Sequence, residues 1–95
     1  MSEDDERPAD RLGLRDVEAW RCEGRVVVAA TVAAPPRTWV RVRAGLDAGG
    51  EDASGQHRHG DRVWLRPPGG AGETAWVEAS TAAESVRASV AVRPA

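Results

Sequence analysis

The chain has no lysine, asparagine, isoleucine, phenylalanine or tyrosine, and a single cysteine, in 95 residues. Each absence closes a class of chemistry. Without lysine there is no Walker-type phosphate lysine, no Schiff base and no lysine general base. With Cys22 alone there is neither an internal disulfide nor a cysteine zinc cluster, and this thiol is expected to pack as a small hydrophobe. No apolar run reaches the length of a membrane span, and the acidic start is the opposite of a signal peptide. A cytoplasmic protein without membrane contact is expected. No G-x-S-x-G elbow surrounds any serine, so hydrolytic catalysis finds no support and the chain reads as a non-enzyme without a cofactor.

What is present is unevenly charged. All thirteen basic residues are arginine, and the heavy use of Ala, Val, Arg and Gly suggests a GC-rich genome. Residues 1–10 carry Glu3, Asp4, Asp5, Glu6 and Asp10 against Arg7 alone, whereas residues 11–95 carry ten acids and twelve arginines. Residues 1–11 therefore read as an acidic, disordered tail and 12–95 as one domain. A solubilising extension is the first reading of such a tail, and a segment that folds over an arginine face is the second.

Within the domain, residues 14–22, 25–33, 38–44, 62–66, 74–79 and 85–93 alternate or are rich in β-branched residues, which predicts strands. Glu23-Gly24 offers a tight turn, and Pro35-Pro36 and Pro67-Pro68 break the pattern because proline gives a ladder no amide. Residues 45–61 are glycine-rich and polar without apolar periodicity, and read as a long loop. Thr81 and Glu84 have capping-box spacing, which leaves an α+β alternative with a helix at 81–90. The fold class expected first is all-β: a small antiparallel β-sandwich of about six to seven strands, similar to an immunoglobulin or fibronectin type III domain but without the Cys-Trp-Cys signature.

Four tryptophans are the only aromatic residues, and each falls on the phase opposite to its aliphatic neighbours. Trp20 alternates against Val17 and Ala19, Trp39 against Val40 and Val42, Trp64 against Val63 and Leu65, and Trp76 against Ala75 and Val77. Side chains alternate across a strand with period two, so one face is aliphatic and the other carries tryptophan, arginine and acid. Three covers are conceivable for these indoles: arginine stems of the same chain, another protein or a second copy, or a stacked anionic ligand. Trp39, Arg41, Arg43, Arg62, Trp64 and Arg66 form the candidate contact surface of a non-catalytic interaction or accessory module, whose partner is another protein or its own copy. Binding of single-stranded nucleic acid or a glycan by the same face is the alternative, ranked second because the body carries only a small positive excess.

Two further motifs bear on chemistry. His57-Arg58-His59-Gly60-Asp61 resembles the H-x-H-x-D opening of the metallo-β-lactamase signature, but Arg62 stands where that signature needs histidine. His57, His59 and Asp61 remain a lower-ranked metal set, opposed by the neighbouring charges of Arg58 and Arg62; no metal is expected. Gly69-Gly70-Ala71-Gly72 precedes a strand rather than a helix, so no helix N-terminus waits for a phosphate.

Residues 25–47 (RVVVAATVAAPPRTWVRVRAGLD) pair a valine-rich strand, a proline turn and an Arg-Val-Arg strand ending in Leu-Asp. This stretch is similar to short haloarchaeal proteins of unknown function. The resemblance implies a stand-alone immunoglobulin-like domain without an assigned activity.

Overall fold

Alternation of apolar and polar residues produces seven strands among the described residues (10–47, 49–69 and 74–94) of the computed structural model. They are β1 (Gly13–Cys22), β2 (Arg25–Ala33), β3 (Val40–Leu46), β4 (Glu51–His57), β5 (Arg62–Leu65), β6 (Thr74–Ser80) and β7 (Ser85–Arg93). No helix occurs among the described residues, and none could cross a membrane as a long apolar helix. The expected tail lies outside them except for the exposed Asp10 and Arg11, as does the glycine-rich connection at 70–73.

Neighbouring strands follow the order β4-β3-β6-β7-β1-β2-β5. All pairings are antiparallel except β1 with β7, which run parallel through Ala19↔Val92 and Trp20↔Arg93. The sheet is therefore mixed and continuous, not purely antiparallel as expected. It curls until its edges approach. The Gly50 amide, just before β4, donates to the Pro68 carbonyl at 3.2 Å, and the Arg66 amide, just after β5, donates to Asp52 Oδ2 at 2.9 Å. The molecule is nearly barrel-shaped, with extents of 37 × 31 × 17 Å.

The inward phase is aliphatic throughout. Val26, Val28, Ala30 and Val32 of β2 meet Val40, Val42, Ala44 and Leu46 of β3, with Val63, Leu65, Ala75, Val77 and Ala79 completing the core. No polar or charged residue is buried among the described residues. Burying a valine stabilises by about 1.5–3 kcal/mol, so this valine stripe is the main source of stability.

Local chemistry explains the turns, and in places overturns the sequence reading. Glu23 and Gly24 both have positive φ (54° and 79°), the signature of a two-residue type I′ hairpin. Cys22 ends that hairpin opposite Arg25 and is exposed, so it is not the packed hydrophobe expected; it shares the outward phase of Trp20, whereas Val26 on the other phase is buried. The predicted loop at 45–61 contains β4. Its residues (EDASGQH) lack apolar alternation because β4 is an edge strand, held by the β3 backbone ladder instead of by burial. The helix alternative at 81–90 is not realised. Thr81 Oγ1 does accept the amides of Ala83 and Glu84, both at 3.1 Å, as an N-cap would. The Thr81 amide, however, donates to the Glu84 carbonyl at 2.8 Å and closes a hairpin from β6 into β7. The Glu84 carboxylate instead accepts the Leu12 amide at 2.7 Å.

Two bulges adjust the phase. Arg15 faces Thr31 but Glu18 faces Ala29, so Asp16 and Val17 together oppose one residue, with Asp16 at φ 50°. The extra residue lets both Leu14 and Ala19 point toward the core while Glu18 and Trp20 point out. In β4, Val40 pairs with His57 and Val42 with Ser54, with Gln56 at φ 63°. That bulge returns His57 to the same side as Ser54.

Candidate functional site

The outward phase divides into three tryptophan–arginine clusters that differ in how their charges are met.

The first lies over β3, β6 and β7. Trp76 is opposite Gly45, and a Cβ there would stand 2.6 Å from the indole Cζ2, so the ring lies flat on bare backbone. The guanidinium of Arg87 covers the ring at 4.2 Å and that of Arg43 at 5.6 Å. Arg43 donates to Glu78 and lies 3.5 Å from Glu51, while Arg87 lies 3.6 Å from Glu78. The hydrogen bond and charge of Glu78, with help from Glu51, hold the Arg43 guanidinium above its ordinary pKa against the opposing effect of burial. Two acids thus neutralise two arginines.

The second lies over β1, β2 and β5. Trp64 on β5 and Trp20 on β1 reach across β2, with ring centroids 5.8 Å apart and planes at 84°. Ala29 and Val27 of β2 are their cross-strand partners, and the small Ala29 lies fully buried on this outward phase. Arg62 stacks 5.6 Å from Trp64, and its hydrogen bonds turn back into the fold. It donates to the Asp16 carbonyl at 2.7 Å, to Thr31 Oγ1 at 3.0 Å and to Glu18 Oε2 at 3.2 Å. Trp64 nevertheless remains 58% exposed.

The third lies where β2 leads into β3 and β4 into β5. Trp39 is 59% exposed, and the Arg58 guanidinium lies 5.4 Å over its ring. Arg37 and Arg41 flank Trp39 in the chain. Among the described residues, neither they nor the Arg58 guanidinium has an acidic partner.

The six candidate contact residues are therefore not one surface. Arg43 belongs to the first cluster, Arg62 and Trp64 to the second, Trp39 and Arg41 to the third. Arg66 lies at the far end of β5, beside Arg25, Pro67 and Pro68. Strands β3 and β5 share no ladder, and alternation reveals only which phase is outward. Arg87, missed by sequence reasoning, caps Trp76 because β7 pairs with β6; Ser89, not Arg87, stands directly opposite Trp76. Only the strand register could have found it.

The histidines also part company. His57 Nε2 lies 2.8 Å from Ser54 Oγ, and its Nδ1 lies 3.7 Å from Asp61 Oδ2. Asp61 Oδ2 accepts the Arg58 amide at 2.9 Å. Serine, histidine and aspartate thus stand in sequence, but the histidine–aspartate leg exceeds hydrogen-bond length, so no orienting contact is made. His59 Nδ1 accepts the Ala34 amide at 3.1 Å, and its Nε2 is buried without a hydrogen-bond partner. The two imidazoles serve different strands, and no group of three His, Cys, Asp or Glu among the described residues is arranged for a metal.

These features define an all-β domain with three outward tryptophan–arginine clusters. Compared with family models, curated proteins and solved structures, the chain matches none.

Proposed function

We propose that this chain is a non-catalytic interaction module with an immunoglobulin-like sandwich architecture, and that its contact surface centres on Trp64. The strand order supports the architecture. Divided between β7 and β1, it gives layers β1-β2-β5 and β4-β3-β6-β7, the A-B-E and C′-C-F-G arrangement of fibronectin type III domains. The short extent of 17 Å suits two sheets about 10 Å apart. The likeness of residues 25–47 to haloarchaeal immunoglobulin-like proteins and a cytoplasmic location belong to the same proposal.

One observation carries the contact surface: Trp64 stands 58% exposed beside Trp20, on a base that Arg62 holds rigid. An indole buries about 150–250 Å², so covering the exposed part is worth about 2–4 kcal/mol. Tryptophan on a preorganised base is the usual anchor of a protein interface, and charge already satisfied within the fold adds little desolvation cost. The occupant is another protein or a second copy. Sedimentation equilibrium over a wide concentration range tests the homotypic form. Self-association that Trp64→Ala abolishes and Trp39→Ala leaves intact is the expected result. A chain that stays monomeric at high concentration sinks the homotypic form. Blue-shifted tryptophan emission shielded from acrylamide in that monomer would remove the contact surface altogether.

Binding of single-stranded nucleic acid or a glycan is the second reading, favoured by Trp39 and the arginines around it, which have no acidic partner among the described residues. Nucleic-acid affinity at that site would fall steeply with salt, whereas an apolar contact at Trp64 would not.

A further inference from the structure

Of the three clusters, only the one around Trp39 leaves its arginines without acids among the described residues. Arg37 and Arg58 line one shallow groove, together with His59 and Asp61. The Asp61 carboxylate in that groove is engaged by the backbone amide of Arg58 rather than by a guanidinium. Arg37 sits at φ 59°, a left-handed conformation where glycine or asparagine would cost less, and its side chain is exposed. His59 accepts the Ala34 amide at Nδ1, and its buried Nε2 has no hydrogen-bond partner among the described residues. Held this way, the groove has a net positive charge and an indole beside it.

The acid that would balance it lies in the same chain. Residues 1–9 contain Glu3, Asp4, Asp5 and Glu6 against Arg7. They precede Asp10, and the chain then enters β1 at Gly13, which pairs with Ala33 at the end of β2. From Ala33 it is four residues along the chain to Arg37. The described chain therefore begins near the end of the molecule that carries the groove, and the acidic residues precede it in the sequence. Glu6 is four residues from Asp10, a span of up to about 14 Å when extended.

We propose that the segment Glu3–Glu6 docks intramolecularly on the Arg37–Arg58 groove beside Trp39, its carboxylates meeting the guanidinium groups by charge-assisted hydrogen bonds. The segment is then a built-in competitor for any anionic ligand of that groove, and salt releases it. The contact is separate from Trp64 and does not depend on the interface proposed there.

The test uses the indole N–H resonances of the ¹⁵N-labelled full chain, one for each tryptophan, with that of Trp39 assigned through Trp39→Phe. The chain is compared with a variant carrying Glu3→Gln, Asp4→Asn, Asp5→Asn and Glu6→Gln, at low salt and at about 1 M salt, where screening extends only about 3 Å. Expected are a shift of the Trp39 resonance in the variant at low salt, the same shift in wild type on adding salt, and no movement at Trp20, Trp64 or Trp76. Those three also report that the fold is intact. A Trp39 resonance identical in wild type and variant overturns the proposal. A shift that grows with protein concentration also overturns it, since the segment would then be reaching a neighbouring molecule. A change at Trp64 alone would bear on the proposed interface and not rescue this docking.

Discussion

At Gly45 a methyl group would stand 2.6 Å from the ring of Trp76, closer than real Cβ contacts come. Because the obstacle is a flat indole covered by Arg43 and Arg87, the ring must lift and lose its cover. Gly45→Ala is expected to destabilise by about 1–3 kcal/mol, the cost of overpacking. Gly55→Ala places its Cβ in open space and is expected to change stability by less than about 0.5 kcal/mol. Urea denaturation of both variants checks the pair, and equal effects would mean that Trp76 is not seated on the backbone. This is also the residue scale at which sequence reading stops short. The phase of Trp76 is plain from Thr74 and Glu78 on either side, but the reason position 45 is glycine appears only when β3 lies beside β6.

At the scale of elements, the bulge in β1 is the most consequential irregularity. It switches the outward phase between Arg15 and Glu18, and the carbonyl of its Asp16 is held by Arg62 from β5, two strands away. Arg62→Ala removes three hydrogen bonds at once and is expected to cost on the order of 1–2 kcal/mol after exchange with water. Arg58→Ala, whose guanidinium among the described residues contacts an exposed indole, is expected to cost less than about 1 kcal/mol. Thermal melts of the two variants decide whether like residues beside like tryptophans play different parts. A larger loss from Arg58→Ala would contradict the assignment of Arg62 as the anchor. β4 teaches a related lesson. Its acceptance into the sheet comes from the amides and carbonyls of β3, which any segment free of proline can bond, so Glu51–His57 shows no strand pattern of its own.

For the whole molecule, the parallel contact of β1 with β7 joins the first strand to the last and makes one sheet of two antiparallel groups. β7 also covers one side of β6 along its full length, from Thr74↔Ala91 to Ser80↔Ser85. Ending the chain after Glu84 would expose that edge and leave β1 unpaired on one side. Such a chain is expected to lose its cooperative melt and the dispersion of its amide spectrum. A truncated protein that retained both would show that β1 to β6 suffice. Half of the six pairings, β1 with β7, β2 with β5 and β3 with β6, join strands distant in the sequence, so folding on the millisecond-to-second scale follows.

The sequence by itself determined the strand segments rich in valine, the aliphatic core phase, the outward phase of all four tryptophans and the breaks at the proline pairs. These are local properties, set by the two-residue period of a strand and by proline's missing amide. Only the tertiary structure decided that the candidate contact residues separate into different clusters, that Glu84 serves Leu12 instead of capping a helix, and that the arginines near Trp39 lack acids among the described residues. Strand order and register are set by pairing between distant segments, and hydrogen bonds and charges are satisfied by neighbours in space.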